Sequence, residues 1–154
     1  MAKMTTPIIR FLNIILAALL AGVSFGIWIG FNPMDLSPST YCELQQNMLR
    51  ALKVLMISLV VIATIITIVS AFLHKNNKSA CIALLVAALF FIACIIITRF
   101  GNKPIDDMVM TWTKDTLPDN WTELRDKWWS YHVMRTIAEL AALFLITWTS
   151  FKRD

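Results

Sequence analysis

The chain has little of what punctuates soluble folds or builds common catalytic centres. Its 154 residues include 4 glycines, 5 prolines, 3 cysteines and 2 histidines, and only 16% are charged. No Cys-x-x-Cys pair occurs. Cys42 falls in a loop region and Cys81 and Cys94 in an apolar stretch, so neither a disulfide-exchange enzyme nor a zinc site is indicated. A phosphate-cradling glycine loop, a nucleophile elbow and a dinucleotide fingerprint are all missing. His74 and His132 lie far apart and form no paired-histidine motif. One axial bond from His132 is all that a haem would find, and no cofactor or metal is expected.

What is abundant is apolar sequence, at 58% hydrophobic residues. Four stretches, 8–31, 52–72, 80–98 and 133–149, approach or exceed the roughly 18 residues needed to cross hydrocarbon as a helix. The expectation is an all-α integral membrane protein, a single domain over 1–154 built as an antiparallel four-helix bundle. The first stretch follows a basic start and resembles a leader, but it exceeds the ~7 to 15 residues of a signal core, which favours a membrane helix.

The net charge of +4 does not point to nucleic acid, because of where the charge lies. Lys3, Arg10, Lys75, Lys78, Lys152 and Arg153 cluster at the two ends and in the second loop, with Asp154 the only acid among them. The positive-inside rule then puts both termini in the cytoplasm, the bundle in the plasma (inner) membrane, and the first and third loops outside.

Phe31-Asn32-Pro33 ends the first helix, and Ser37-Pro38 begins the second, serine as cap and proline in the first turn. Neither glycine nor proline interrupts the sequence between Pro38 and Lys78, which predicts a long helix over 38–75. Some 36 residues measure roughly 54 Å, well beyond the ~30 Å of hydrocarbon, so this helix projects outward. The third helix is expected to end near Arg99, broken by Gly101 and Pro104. A short interfacial helix is expected within Asp106 to Pro118, with Trp112 at the interface. Asn120-Trp121-Thr122-Glu123 has capping-box form and opens a long helix over 121–151.

Ala18, Gly22, Gly26 and Gly30 recur every four residues in the first helix. Such a stripe lets another helix pack closely, within the bundle, in a homo-oligomer or with a membrane partner, the alternative being access for a flat ligand between helices. A second stripe carries more chemistry. Trp121, Arg125, Trp128, His132, Arg135 and Glu139 alternate four and three residues apart and so share one helical face. Ionisable groups at membrane depth normally face the protein interior or a watery cavity. His132 is the candidate acid or base. Arg135 is the candidate stabiliser of an enolate or phenolate oxygen, and Glu139 a second base or an orienting group. The tryptophans offer flat walls to a small lipophilic aromatic ligand. The competing expectation is a structural Arg135 to Glu139 ion pair with His132 beside it.

The pattern Asn102-x-Pro104-x-Asp106-Asp107, followed by Trp121-x-x-x-Arg125-x-x-Trp128-x-x-x-His132-x-x-Arg135-Thr136, resembles the signature of the anthrone oxygenase-like family. Upstream, Ala21-Gly22, Phe25, Pro33, Gln46-Asn47 and Arg50 extend the likeness over most of the chain. The resemblance implies a small four-helix membrane protein. It also implies an activity like that of fungal relatives that oxidise an anthrone to an anthraquinone without a cofactor. Asn102 would then position a substrate, with Asn47, Asp106, Trp121, Arg125 and Trp128 around it. Asp106 stands where the family pattern is expected to carry asparagine. The alternative is a non-catalytic membrane protein that binds a lipophilic molecule among lipids or assembles with a partner.

Overall fold

A computed structural model describes residues 2–113 and 116–151. Lys152, Arg153, Asp154 and the side chain of Lys3, on which part of the expected orientation rests, lie outside the described residues. The described chain is helical, without strands. α1 spans Ala2–Gly30, α2 Pro38–Leu73, α3 Lys78–Ile97, α4 Lys103–Val109 and α5 Trp121–Phe151. Four helical segments are long and apolar enough to cross a membrane, which makes this an integral membrane four-helix bundle. α2 packs on α1 and α3, and α5 on α3 and α1, so the four long helices close into a ring.

Local chemistry explains most of the boundaries. Ser37 accepts the Thr40 N–H and Pro38 occupies the first turn of α2, where a missing amide donor costs nothing. Asn77 caps α3 by accepting the Ala80 N–H at 3.1 Å. Alanines fill the centre: Ala17, Ala63, Ala87 and Ala142 are wholly buried around Leu20, Leu84, Phe91 and Ile146. Their small side chains let backbones approach closely, which is how helices associate where lipid removes the hydrophobic incentive.

Two expectations give way to a different geometry. Gly101 and Pro104 do not break the third helix. The chain passes through a π-helical turn at Thr98–Asn102, closed by Lys103 N–H on the Thr98 carbonyl, and continues directly as α4. The wide turn absorbs the proline ring and its absent donor. The short helix therefore begins at Lys103 rather than Asp106, with Ile105 and Val109 buried against the N-terminal ends of α2 and α5.

Packing of the α1 glycine stripe within the bundle is the other. Ala18, Gly22, Gly26 and Gly30 are exposed, and a Cβ added at any of the three glycines meets nothing within 4 Å. The opposite face turns inward because Asn13 and Ser24 lie on it; polar side chains in a membrane helix need interior partners. Asn13 has one, accepting from the Thr67 hydroxyl at 2.7 Å.

Candidate functional site

The buried face of α5 reads Arg125, Trp128, His132, Thr136, Glu139, Ala142, Ile146 and Thr149, so the polar stripe does point into the bundle. It does not form one site. Its N-terminal members build a clasp. Trp121 packs on Tyr41 with ring centres 5.8 Å apart and planes tilted by 36°, the Arg125 guanidinium lies 5.1 Å from the Trp121 ring centre, and Arg125 donates to the Pro33 carbonyl at 3.4 Å and to Asp126 at 2.7 Å. Trp121 and Arg125 thus tie the α1–α2 turn to α5. Asn47 is on the exposed side of α2, accepting from Arg50 at 3.4 Å.

The middle members surround a cavity of about 80 Å³ between α2, α4 and α5. Its polar lining is Lys53, Thr98, Asn102, Lys103, Asp106 and Arg135, with Trp128 as one wall and Met48 and Met56 among the apolar residues. The π turn matters here, since it resets the helical phase so that Asn102 and Asp106 both face inward. Gly101 serves the same turn: a Cβ there would sit 2.8 Å from the Tyr131 ring.

Hydrogen bonds hold the lining. The Trp128 indole N–H donates to Asp106 Oδ1 at 2.7 Å, and Asn102 Nδ2 donates to the Trp128 carbonyl at 3.0 Å. Asn102 Oδ1 is buried with no partner, as is Arg135 Nε. Buried polar atoms are nearly always satisfied, so an unpaired acceptor and an unpaired donor beside one cavity mark a place for a ligand or water. Asp107, on the exposed side of α4, pairs with Lys103 and lies 3.8 Å from Lys53.

His132 is placed behind this lining rather than on it. It is fully buried and its ring stacks on Trp128 at 5.3 Å and on Trp129 at 5.4 Å. Arg135 Nη2, which can only donate, meets His132 Nδ1 at 3.0 Å. The imidazole must then accept at Nδ1 and donate from Nε2, which lies 3.2 Å from the Ser24 carbonyl. Both nitrogens are engaged, so this arrangement offers neither a substrate nor a haem iron an open one. His132 reaches the cavity through Arg135.

Glu139 lies deeper, only 1% exposed, with Oε2 unpaired. It borders a second cavity of about 30 Å³ with Cys94, Thr98 and Arg135. Among the described residues, Arg135 and Glu139 form no ion pair, because the guanidinium turns outward to His132 and the larger cavity. A structural Arg135 to Glu139 bridge is therefore not what orders the stripe. Among the described residues no three His, Cys, Asp or Glu side chains converge as metal ligands.

Sequence reasoning missed Lys53, Thr98 and Lys103. Lys53 was the visible one, a lysine just inside the apolar stretch 52–72, where a charge needs a polar destination. Thr98 and Lys103 are brought in by the π turn, which no residue pattern announces.

No curated protein and no solved structure matches the chain. A family model described as anthrone oxygenase matches residues 46–145, more than half of the sequence and all of the cavity lining except Ile27, and the chain belongs to that family.

Proposed function

We propose that this member of the anthrone oxygenase family oxidises a flat lipophilic phenolic compound, of anthrone or quinol type, using dioxygen and the groups of the α2–α4–α5 cavity. Both termini are assigned to the cytoplasmic side of the plasma (inner) membrane, which puts the cavity in the outer half of the bundle. The observation that carries the reading is that Asp106, Asn102 and Arg135 line one cavity together with Lys53 and Lys103. A carboxylate beside an excess of cations suits removal of a proton followed by stabilisation of an oxyanion.

In the reaction Asp106 takes a proton from the central ring CH2, and the electron pair moves onto the ketone oxygen. Arg135, held by His132, and the Asn102 amide stabilise that enolate. The enolate carbon reduces dioxygen and forms a C–O bond. The resulting hydroperoxide loses its O–O bond and the second ring C–H, leaving a new C=O and one water. CH2 plus O2 thus becomes C=O plus H2O, with no other oxidant. His132 is a positioning group in this scheme, and Glu139 a carboxylate reserved on the inner side of Arg135.

A cavity of about 80 Å³ holds only a few waters. A tricyclic substrate therefore enters by parting α2 from α4, a movement that Met48 and Met56 ease because unbranched thioether chains repack readily. The test is oxygen uptake and anthraquinone absorbance with purified protein in nanodiscs and anthrone, corrected for spontaneous oxidation. Turnover above the uncatalysed rate that is lost in Asp106→Asn is the expected result. A rate equal to the blank with anthrone and with simple hydroquinones would reject the reading.

A further inference from the structure

The cavity between α2, α4 and α5 carries more positive charge than oxidation of a neutral phenol requires. Arg135 also borders the smaller cavity beside Glu139, whereas Lys53 and Lys103 line the larger one alone. They stand on the two helices that part for a substrate, Lys53 on α2 and Lys103 on α4. Their side chains are 41% and 39% exposed, which puts both at the mouth.

The two ammonium groups converge on one carboxylate. Lys53 Nζ lies 3.8 Å from Asp107 Oδ1, and Lys103 donates to Asp107 Oδ2. Arg99 adds a third positive charge acting on the same group. Asp106, the carboxylate of the lining itself, is committed to the Trp128 indole. Asp107 thus shows that the lysines are spaced to clasp a single carboxylate from opposite sides of the gap. It is a replaceable occupant, because its side chain is 52% exposed and exposed ion pairs hold weakly. Beyond the lysines the wall turns apolar, with Met48, Leu52, Met56 and Trp128. Lys53 also opens the apolar stretch of α2, followed by the outward-facing Val54 and Leu55. That is the depth at which an amphipathic molecule in a bilayer keeps its charged end.

We propose, building on the substrate cavity assigned above, that the compound bound there carries a carboxylate on its flat lipophilic body, and that Lys53 and Lys103 select it by exchanging Asp107 for that carboxylate. The apolar body passes between the methionines and Trp128 while the acidic group stays at the mouth. Lysine suits the exchange, since a compact charge with three donors on a flexible stem follows the carboxylate as the helices part.

The test uses the full chain in phosphatidylcholine nanodiscs and two compounds already at the quinone level, anthraquinone-2-carboxylate and 2-methylanthraquinone. Binding is followed by quenching of tryptophan fluorescence, and each ligand is compared with itself across variants, so that partition into lipid cancels. Lys53→Gln and Lys103→Gln should each weaken carboxylate binding about tenfold, the loss of one charge-assisted contact, and leave the methyl compound unchanged. Asp107→Asn should act in the opposite direction and tighten the carboxylate, because its competitor is gone. This variant changes an exposed residue, so it keeps the test intact if a lysine variant fails to fold. Lys127→Gln removes an exposed lysine of α5 outside the cavity and should alter neither ligand. No binding of the carboxylate, equal effects of the lysine variants on both ligands, or weaker carboxylate binding in Asp107→Asn overturns the proposal. None of these readouts needs turnover: selective carboxylate binding without oxygen uptake rejects only the oxidation, and oxygen uptake without carboxylate selectivity rejects only the role of the lysines.

Discussion

The indole of Trp128 donates its only hydrogen to the Asp106 carboxylate at 2.7 Å, while its ring lies parallel to that of His132, 1° apart in plane. One tryptophan thus aims the carboxylate of the cavity on one edge and packs the imidazole on its face. Trp128→Phe keeps most of the stacking surface and deletes the donor. A buried carboxylate left short of a partner costs about 1 to 3 kcal/mol, so thermal unfolding in detergent should fall accordingly. An unchanged midpoint would show that water replaces the indole.

The geometry separates Asp106 from His132 kinetically. Asp106→Asn should lower turnover by about 10² to 10⁴, the usual contribution of a general base. His132→Gln should do less, because an amide can still accept from Arg135 and donate towards Ser24. Rates of anthraquinone formation decide it: equal losses in both variants would return His132 to the role of base.

Gly101 and Gly26 should respond oppositely to alanine. A methyl at Gly101 meets the Tyr131 ring at 2.8 Å, and overpacking of that kind costs about 1 to 3 kcal/mol. Gly26→Ala meets nothing within 4 Å and should leave the monomer as stable as before. Differential scanning of both variants checks this. Gly26→Leu should likewise keep the unfolding midpoint, so any effect on the protein must appear in cross-linking between copies.

Gln46 secures the end of α4, its Nε2 donating to the carbonyls of Val109 and Trp112 at 2.9 Å each. Gln46→Leu strips this contact from both carbonyls, leaving that of Val109 with the Trp112 N–H at 3.1 Å and that of Trp112 with the Cys42 thiol at 3.7 Å. Amide exchange around Val109 to Thr113 should accelerate by about tenfold or more, the equivalent of 1.4 kcal/mol of local stability. Exchange in α3 should not change.

Hydropathy, helix caps and spacing determined the class of this protein without help from the structure. Four apolar runs dictate four membrane helices, Ser37-Pro38 writes the start of α2, and the alternation of three and four puts Trp128, His132, Arg135 and Glu139 on the inward face. These are local facts, readable because backbone periodicity and bilayer thickness act on contiguous sequence. Tertiary structure decided the rest. The π turn brings Thr98, Asn102 and Asp106 to Arg135, Asn47 stays outside, and the glycine stripe of α1 faces away from its own bundle. It also decided which stripe residue meets the cavity: Arg135 lines it, while His132 spends both nitrogens on Arg135 and Ser24. Spacing along one helix sets a direction only; what a side chain meets in that direction depends on the phase and depth of the helices opposite.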